Sequence, residues 1–517
     1  MCLALVAHGP LLLNDGLYWD DWLLYPQLKR QDWAAVDALV REAGVTPLNA
    51  AFLHLFAYLP GGVFAFKAVA FVFIVCIAWL VMKIAIEAGL SPLFAWSVAA
   101  LQMVFPGFQD WVLLATAASV FDFVLFLLAT LLILRAERVR PQIGLVLRIV
   151  AIAAFAASFG FNSLLAMYFG ALVLLLIVSL RTAALEQIAR RRWPFAVLLV
   201  VIPFAYWEIS RALLTPSGLY GGFNSFVGGR SMLLSLARFA SNGVIDQLLR
   251  SIAAIADLWV LPVAFAGLVI AVGVARVLGA PSPSRRSSFL AAAFGLVTLV
   301  LAIFPYAAVG KYATVQGWDT RHDLLVAVPV SLVVVALVNA VAVGRRWVLA
   351  GSVGVFIAVF AAGQAHTYAG LEARWATDRA TMAALQSSPE SGRYSVYLVH
   401  DEAPGPEDFY RFYEWSAMLG VAYGDQRRIG LDDRAYTTDF LAHQEFFTDR
   451  YALANFDPSG CQAQLIVRRA PGAPEGTQLA ALYEFDRLFD PGALQHLLDS
   501  LLQVVVTPAP GSETCRT

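Results

Sequence analysis

The sequence predicts an all-α polytopic membrane bundle of about eleven transmembrane helices with a small C-terminal extracytoplasmic α/β domain. Three observations carry this reading. Of 517 residues, 59% are hydrophobic and only 14% charged, with a mean hydropathy of +0.68, against roughly one-quarter charged in soluble domains. Apolar runs of about 20 residues, the length that crosses a bilayer, recur up to residue 365. Beyond that point charges and prolines return. The net charge of -1, from 36 basic and 37 acidic residues, argues against a nucleic-acid partner.

Taken in order, residues 1–13 are apolar but too short to cross alone, and they lack the basic start and small-residue cleavage site of a secretory signal. They read as the outer part of a first helix. Ten further spans are expected near 63–86, 91–106, 111–134, 145–160, 162–180, 194–213, 253–275, 288–308, 323–344 and 347–365. Short basic loops stay cytoplasmic, and four sets of arginines lie two spans apart: Arg135, Arg138, Arg140 and Arg148; Arg181 and Arg190 to Arg192; Arg276, Arg285 and Arg286; Arg345 and Arg346. The turns near 106–111 and 159–163 contain no Lys or Arg. Residues 14–62, 214–252, 309–322 and everything after about 366 therefore face outward, giving a transmembrane domain over 1–365 and an extracytoplasmic domain over 366–517 in a bacterial inner membrane. In that second domain 393–401 and 462–470 read as strands, and 406–420 and 491–503 as helices. Cys461 and Cys515 both fall there, and either a disulfide or two free thiols fits the sequence.

The densest chemistry lies in Asn14-Asp-Gly-Leu-Tyr-Trp-Asp-Asp-Trp-Leu-Leu-Tyr25. Asp15, Asp20 and Asp21 sit among Tyr18, Trp19, Trp22 and Tyr25 at a half-wet boundary, where a partly desolvated carboxylate can act as a base. An aromatic belt with aspartate helix caps is the plainer reading. The arrangement resembles the GT-C superfamily of membrane glycosyltransferases, in particular protein O-mannosyltransferases and aminoarabinose transferases. In those relatives an Asp-Glu pair followed by Tyr opens the first outward loop; here Asp20-Asp21 is followed by Tyr25, so which aspartate is the base stays open. The resemblance implies a sugar donor on a polyprenyl phosphate, a lipid, glycan or protein acceptor, and no nucleotide.

Such a donor needs outward cations, and arginine suits phosphate because its fork bonds bidentately. Lys311, Arg321 and His322, within Gly310 to Asp323, form the first candidate clamp, with Arg211 as a further phosphate ligand; a snorkelling anchor is the structural alternative. The resemblance also implies that a second outward carboxylate, here Asp110 beside Trp111, assists the catalytic one; a simple cap for the next span is the alternative. Asp122, about eleven residues into its span and roughly 16 Å from the outer end, would be the ion site of a transporter. Glu208 and Arg211, three apart, read as a structural pair, and the Gly-rich 220–230 stretch as a gating loop or a connector. His366, His400, His443 and His496 have no metal-ligand spacing, so no metal or cofactor is assigned, although Asp15, Asp20 or Asp21 could hold a divalent ion. The expected activity is inverting monosaccharide transfer to an acceptor hydroxyl. The alternatives are a secondary transporter or flippase, or an O-antigen polymerase or ligase.

Overall fold

The computed structural model describes residues 1–181, 193–217, 222, 224–278, 284–343, 345–403, 410–425, 427–432 and 461–509. Arg190 to Arg192, Tyr220, His443, Cys515 and the start of the helix expected from 406 lie outside these. The chain is mostly helical, at 73%. The helices are α1 (Cys2–Leu13), α2 (Asp21–Lys29), α3 (Trp33–Glu42), α4 (Pro47–Tyr58), α5 (Val63–Glu87), α6 (Pro92–Val104), α7 (Ala117–Ala136), α8 (Pro141–Ser158), α9 (Leu164–Arg181) and α10 (Trp193–Leu213). They continue with α11 (Gly229–Ala240), α12 (Gln247–Ala254), α13 (Leu261–Leu278), α14 (Arg285–Ala308), α15 (Ala327–Val341), α16 (Arg346–Gln386), α17 (Phe412–Tyr423), α18 (Gly476–Phe489) and α19 (Pro491–Leu501). Local chemistry sets several starts. Thr46 and Ser91 accept the N–H of Asn49 and Phe94 through their hydroxyls, and Pro47 and Pro92 follow at the first helical position, where a missing N–H is harmless.

Among the described residues six helices, α5, α7, α8, α13, α14 and α16, are long and apolar enough to cross a membrane. Helices also occupy the other expected regions, but α6 and α15 have only 13 and 15 residues, because the chain next to each is spent on irregular backbone at one end of the bundle. At the opposite end, where α7 finishes, Arg135 and Arg138 pair with Glu87 at 3.2 and 2.6 Å.

Four expectations are corrected. Residues 105–116 leave the helix through Pro106-Gly107 and a 3-10 turn at Asp110–Val112, so Asp122 lies five residues into α7 rather than eleven. It accepts a 2.8 Å hydrogen bond from Asn49. The boundary at residue 365 does not divide the chain, because α16 runs unbroken for 41 residues to Gln386 and passes from apolar packing into the C-terminal unit. Much of 214–252 is helix rather than flexible loop. Glu208 makes no ion pair with Arg211 among the described residues; the Arg211 guanidinium lies 5.7 Å from the Trp207 ring.

The C-terminal unit is a four-stranded sheet in the order β2 (Ile429–Asp432), β1 (Val396–Asp401), β3 (Gln462–Arg469), β4 (Leu502–Pro508). β1 runs parallel to β2 and β3, and β4 antiparallel to β3. Cys461 is disulfide-bonded. This unit is fastened to the bundle through α16 and α17. Arg374 on α16 and Glu414 on α17, both fully buried, bond at 2.5 Å. Glu414 also accepts the N–H of Trp19 at 3.2 Å and of Arg411 at 2.8 Å. Asn14 donates to Tyr18 and to Glu372 of α16 at 2.8 and 2.5 Å. A buried charge is tolerable only when its hydrogen-bonding positions are filled, so this network fixes the start of α2 against the C-terminal unit.

Candidate active site

At the end of the bundle away from Glu87, Arg135 and Arg138 lies a cavity of about 950 Å³, at the upper end of the size of ligand sites. Most of its wall is apolar, contributed by residues such as Val40, Leu53, Phe169, Phe204, Trp207 and Phe304. Its polar part holds one carboxylate, Asp20, together with Arg211, Lys311, Arg321 and His322. Of the residues singled out from the sequence, these five share one space. Asp15, Asp21, Tyr25 and Asp110 do not line it.

Asp20 stands at the first turn of α2 and accepts a 2.8 Å hydrogen bond from the Tyr413 hydroxyl. Burial and the nearby Asp20 charge hold that phenol well above its ordinary range, so Tyr413 stays protonated and donates. Burial pulls the neighbouring Arg411 guanidinium down, but Tyr413, Asp20, Glu414 and Asp319 together hold it above its usual value. Asp319 in turn pairs with Arg321 at 3.2 Å. The residue before Asp20, Trp19, has φ of 45°, a left-handed conformation that costs a non-glycine residue roughly 1–2 kcal/mol. Its N–H bond to Glu414 and the Arg374 guanidinium 4.9 Å from its ring hold it there. Strain of this kind concentrates at functional sites.

On the opposite wall, the Arg321 guanidinium stacks 4.1 Å from the Trp318 ring, and one buried Nη has no hydrogen-bond partner. It retains donor capacity for an anion. Lys311 donates to Asn224 at 2.7 Å; burial and the Arg321 charge lower its ammonium to about 8. Burial and Arg321 push His322 down to about 3, so its imidazole is neutral. Its Nδ1 is 3.0 Å from the Tyr312 carbonyl, which accepts only from the Nδ1–H tautomer, leaving Nε2 as the acceptor.

Behind the wall the chemistry differs. Asp21 is fully buried and accepts the N–H groups of Leu114 and Ala115 at 3.1 and 2.9 Å. Burial raises its carboxyl to about 7, against the pull of Lys67 and these two N–H groups. Lys67 on α5, also fully buried, donates to the carbonyls of Gly16 and Val112 at 3.0 and 2.6 Å. Together they pin the 110–116 turn to the segment from Gly16 to Asp21. Asp110 is buried, which raises its carboxyl well above the usual range despite Arg321. It accepts from Thr320 at 3.2 Å and its second oxygen has no partner. Asp15 faces the C-terminal unit, accepting from Tyr483 at 3.2 Å and lying 3.9 Å from Arg379 and Arg487. The Tyr25 ring packs against Phe66.

Tyr413, Arg411 and Trp318 were missed from the sequence. Tyr413 lies 393 positions from Asp20, and nothing local to it signals that pairing. Among the described residues no group of three or more His, Cys, Asp or Glu is placed to hold a metal ion. No protein-family model matches the chain, and no curated protein matches it significantly.

Proposed function

We propose that this protein transfers a monosaccharide from a polyprenyl-phosphate donor to an acceptor hydroxyl on the extracytoplasmic side of a membrane, with inversion at the anomeric carbon. The observation that carries this reading is the single cavity in which Asp20 shares a polar end with Arg321, Lys311 and Arg211 while the rest of the wall is apolar. An acceptor oxygen attacks the anomeric carbon as Asp20 takes its proton. The anomeric carbon–oxygen bond to phosphate breaks, and the charge gathering on the departing polyprenyl phosphate meets Arg321 and Lys311. The apolar wall suits the prenyl chain. Between the two aspartates the base is Asp20, because Asp21 is occupied by two backbone N–H groups outside the cavity. The disulfide at Cys461 supports an oxidising, extracytoplasmic side for the C-terminal unit.

A transporter reading would centre on Asp122, but Asp122 is held by Asn49 and does not line the cavity. The test is transfer in reconstituted vesicles from a polyprenyl-phosphate sugar, reading release of polyprenyl phosphate. Wild-type protein should release it in the presence of an acceptor extract, and Asp20→Asn and Arg321→Ala should not. No release by wild-type protein from any polyprenyl-phosphate sugar, or full activity in Asp20→Asn, would overturn the proposal.

A further inference from the structure

Residues 229–254 form one helical run: α11, a π-helical turn (Ser241–Asp246) and α12. Its burial is the reverse of that of a soluble amphipathic helix. Turned inward at four-residue spacing are Ser235, Phe239, Gly243, Gln247 and Ser251, mostly small or polar. Turned outward are Leu233, Leu234, Ile245, Leu249 and Ile252, each between 50% and 64% exposed. These large apolar side chains stand in two groups, with the exposed Ala237, Arg238, Ala240 and Ser241 between them, and so much exposed leucine and isoleucine is not left facing water.

The run touches two spans at depths within about 6 Å of each other at 1.5 Å per residue. Phe239 packs 5.9 Å from the Tyr306 ring, 21 residues along α14 from Arg285, or about 32 Å at 1.5 Å per residue. Ser251 abuts Gly363, where a Cβ would stand 2.2 Å from the serine hydroxyl; that glycine is 17 residues along α16 from Arg346, about 26 Å. Both contacts lie close to one hydrocarbon thickness of about 30 Å from the arginine end. A helix joining them therefore lies across the spans, at the boundary of the bilayer. Trp259, 63% exposed just beyond the run, stands where tryptophan anchors at headgroup level. Arg230 and Arg238 are exposed on the run and complement anionic headgroups.

The inward edge holds the segment that follows α14. Asn242 donates to the Ala313 carbonyl at 3.1 Å, and Gln247 and Arg250 donate to that of Val315 at 2.9 and 3.2 Å. This segment begins at Lys311, on the cavity wall. We propose that residues 229–254 are an in-plane interfacial helix whose apolar edge sits in the acyl chains of the arginine-poor leaflet and whose polar edge fixes the 311–316 segment. The membrane seat stands whatever reaction the cavity performs.

The test places a nitroxide on Leu249→Cys or Ile252→Cys, in a chain with serine at the free Cys2 and Cys76, in phosphatidylethanolamine–phosphatidylglycerol vesicles. Collisions with oxygen should exceed those with a water-soluble nickel chelate. The reverse order, or protection from both as a protein partner or second copy would give, overturns the lipid seat. Where the labelled variants fail to fold, wild-type protein in vesicles with a diazirine on the acyl chain provides the same readout, and crosslinks absent from 233–252 count against it. For the grip, hydrogen exchange of residues 311–317 should quicken about tenfold in Asn242→Ala/Gln247→Ala, as expected for two lost hydrogen bonds. Unchanged exchange overturns that half.

Discussion

The cavity wall and the polar layer immediately behind it are built from the same residue types, in places from adjacent positions, yet they meet different requirements. Asp20 faces the cavity, while Asp21 faces away and accepts two backbone N–H groups. His322 lines the cavity, while Asp323 is wholly buried with neither carboxyl oxygen hydrogen-bonded. One step along the chain turns a side chain by about 100° on a helix, enough to carry it from a ligand space into the protein interior. Sequence proximity to a catalytic group is therefore weak evidence of catalysis; which side of the wall a residue occupies decides.

Substitutions can break or sharpen that contrast. Asp20→Asn should give the largest effect, a loss of transfer of about 10³-fold, the middle of the range for a general base, with thermal stability near wild type. Glu414→Ala removes the buried carboxylate that pairs with Arg374 and accepts the N–H groups of Trp19 and Arg411, so it should destabilise the protein by about 3–5 kcal/mol, measured by thermal unfolding in detergent. Asp21→Asn is expected to lower stability by about 1–3 kcal/mol through a lost backbone acceptor, while surviving protein keeps its turnover. A stable but inactive Asp21→Asn beside an active Asp20→Asn would invert the assignment.

The basic wall gives a pH prediction. Lys311, held near 8, is charged below that pH and neutral above it, so affinity for an anionic donor should fall as pH rises through about 8. The loss should approach tenfold, the value of one charge-assisted hydrogen bond, read as a rise in KM. Lys311→Arg should keep KM flat to higher pH. The smallest effect is expected of Tyr413→Phe, where loss of one hydrogen bond to Asp20 should slow transfer about fivefold without altering KM for the donor.

Much of the helical plan was legible because lipid imposes long apolar runs, and a run such as 63–86 allows little but a helix, observed at Val63–Glu87. Irregular backbone was less legible. Residues 105–116 are nearly as apolar as a span, so only the folded chain shows that the helix yields to a turn and moves Asp122 toward its end. The 229–254 helix was hidden because inverted burial leaves its arginines and serines looking like loop composition. Arg211, Lys311, Arg321 and His322 stood out as basic residues in segments expected to face outward, and the fold brings them together with Asp20.

By itself the sequence determined a membrane-compatible helical bundle, the side on which its arginines gather, and a short roster of polar residues at the other end, because hydropathy and charge act over any chain conformation. Only the tertiary structure decided which of these share a space. Whether a carboxylate meets a ligand or two backbone N–H groups depends on packing between segments hundreds of residues apart, as Tyr413 with Asp20 and Arg374 with Glu414 show.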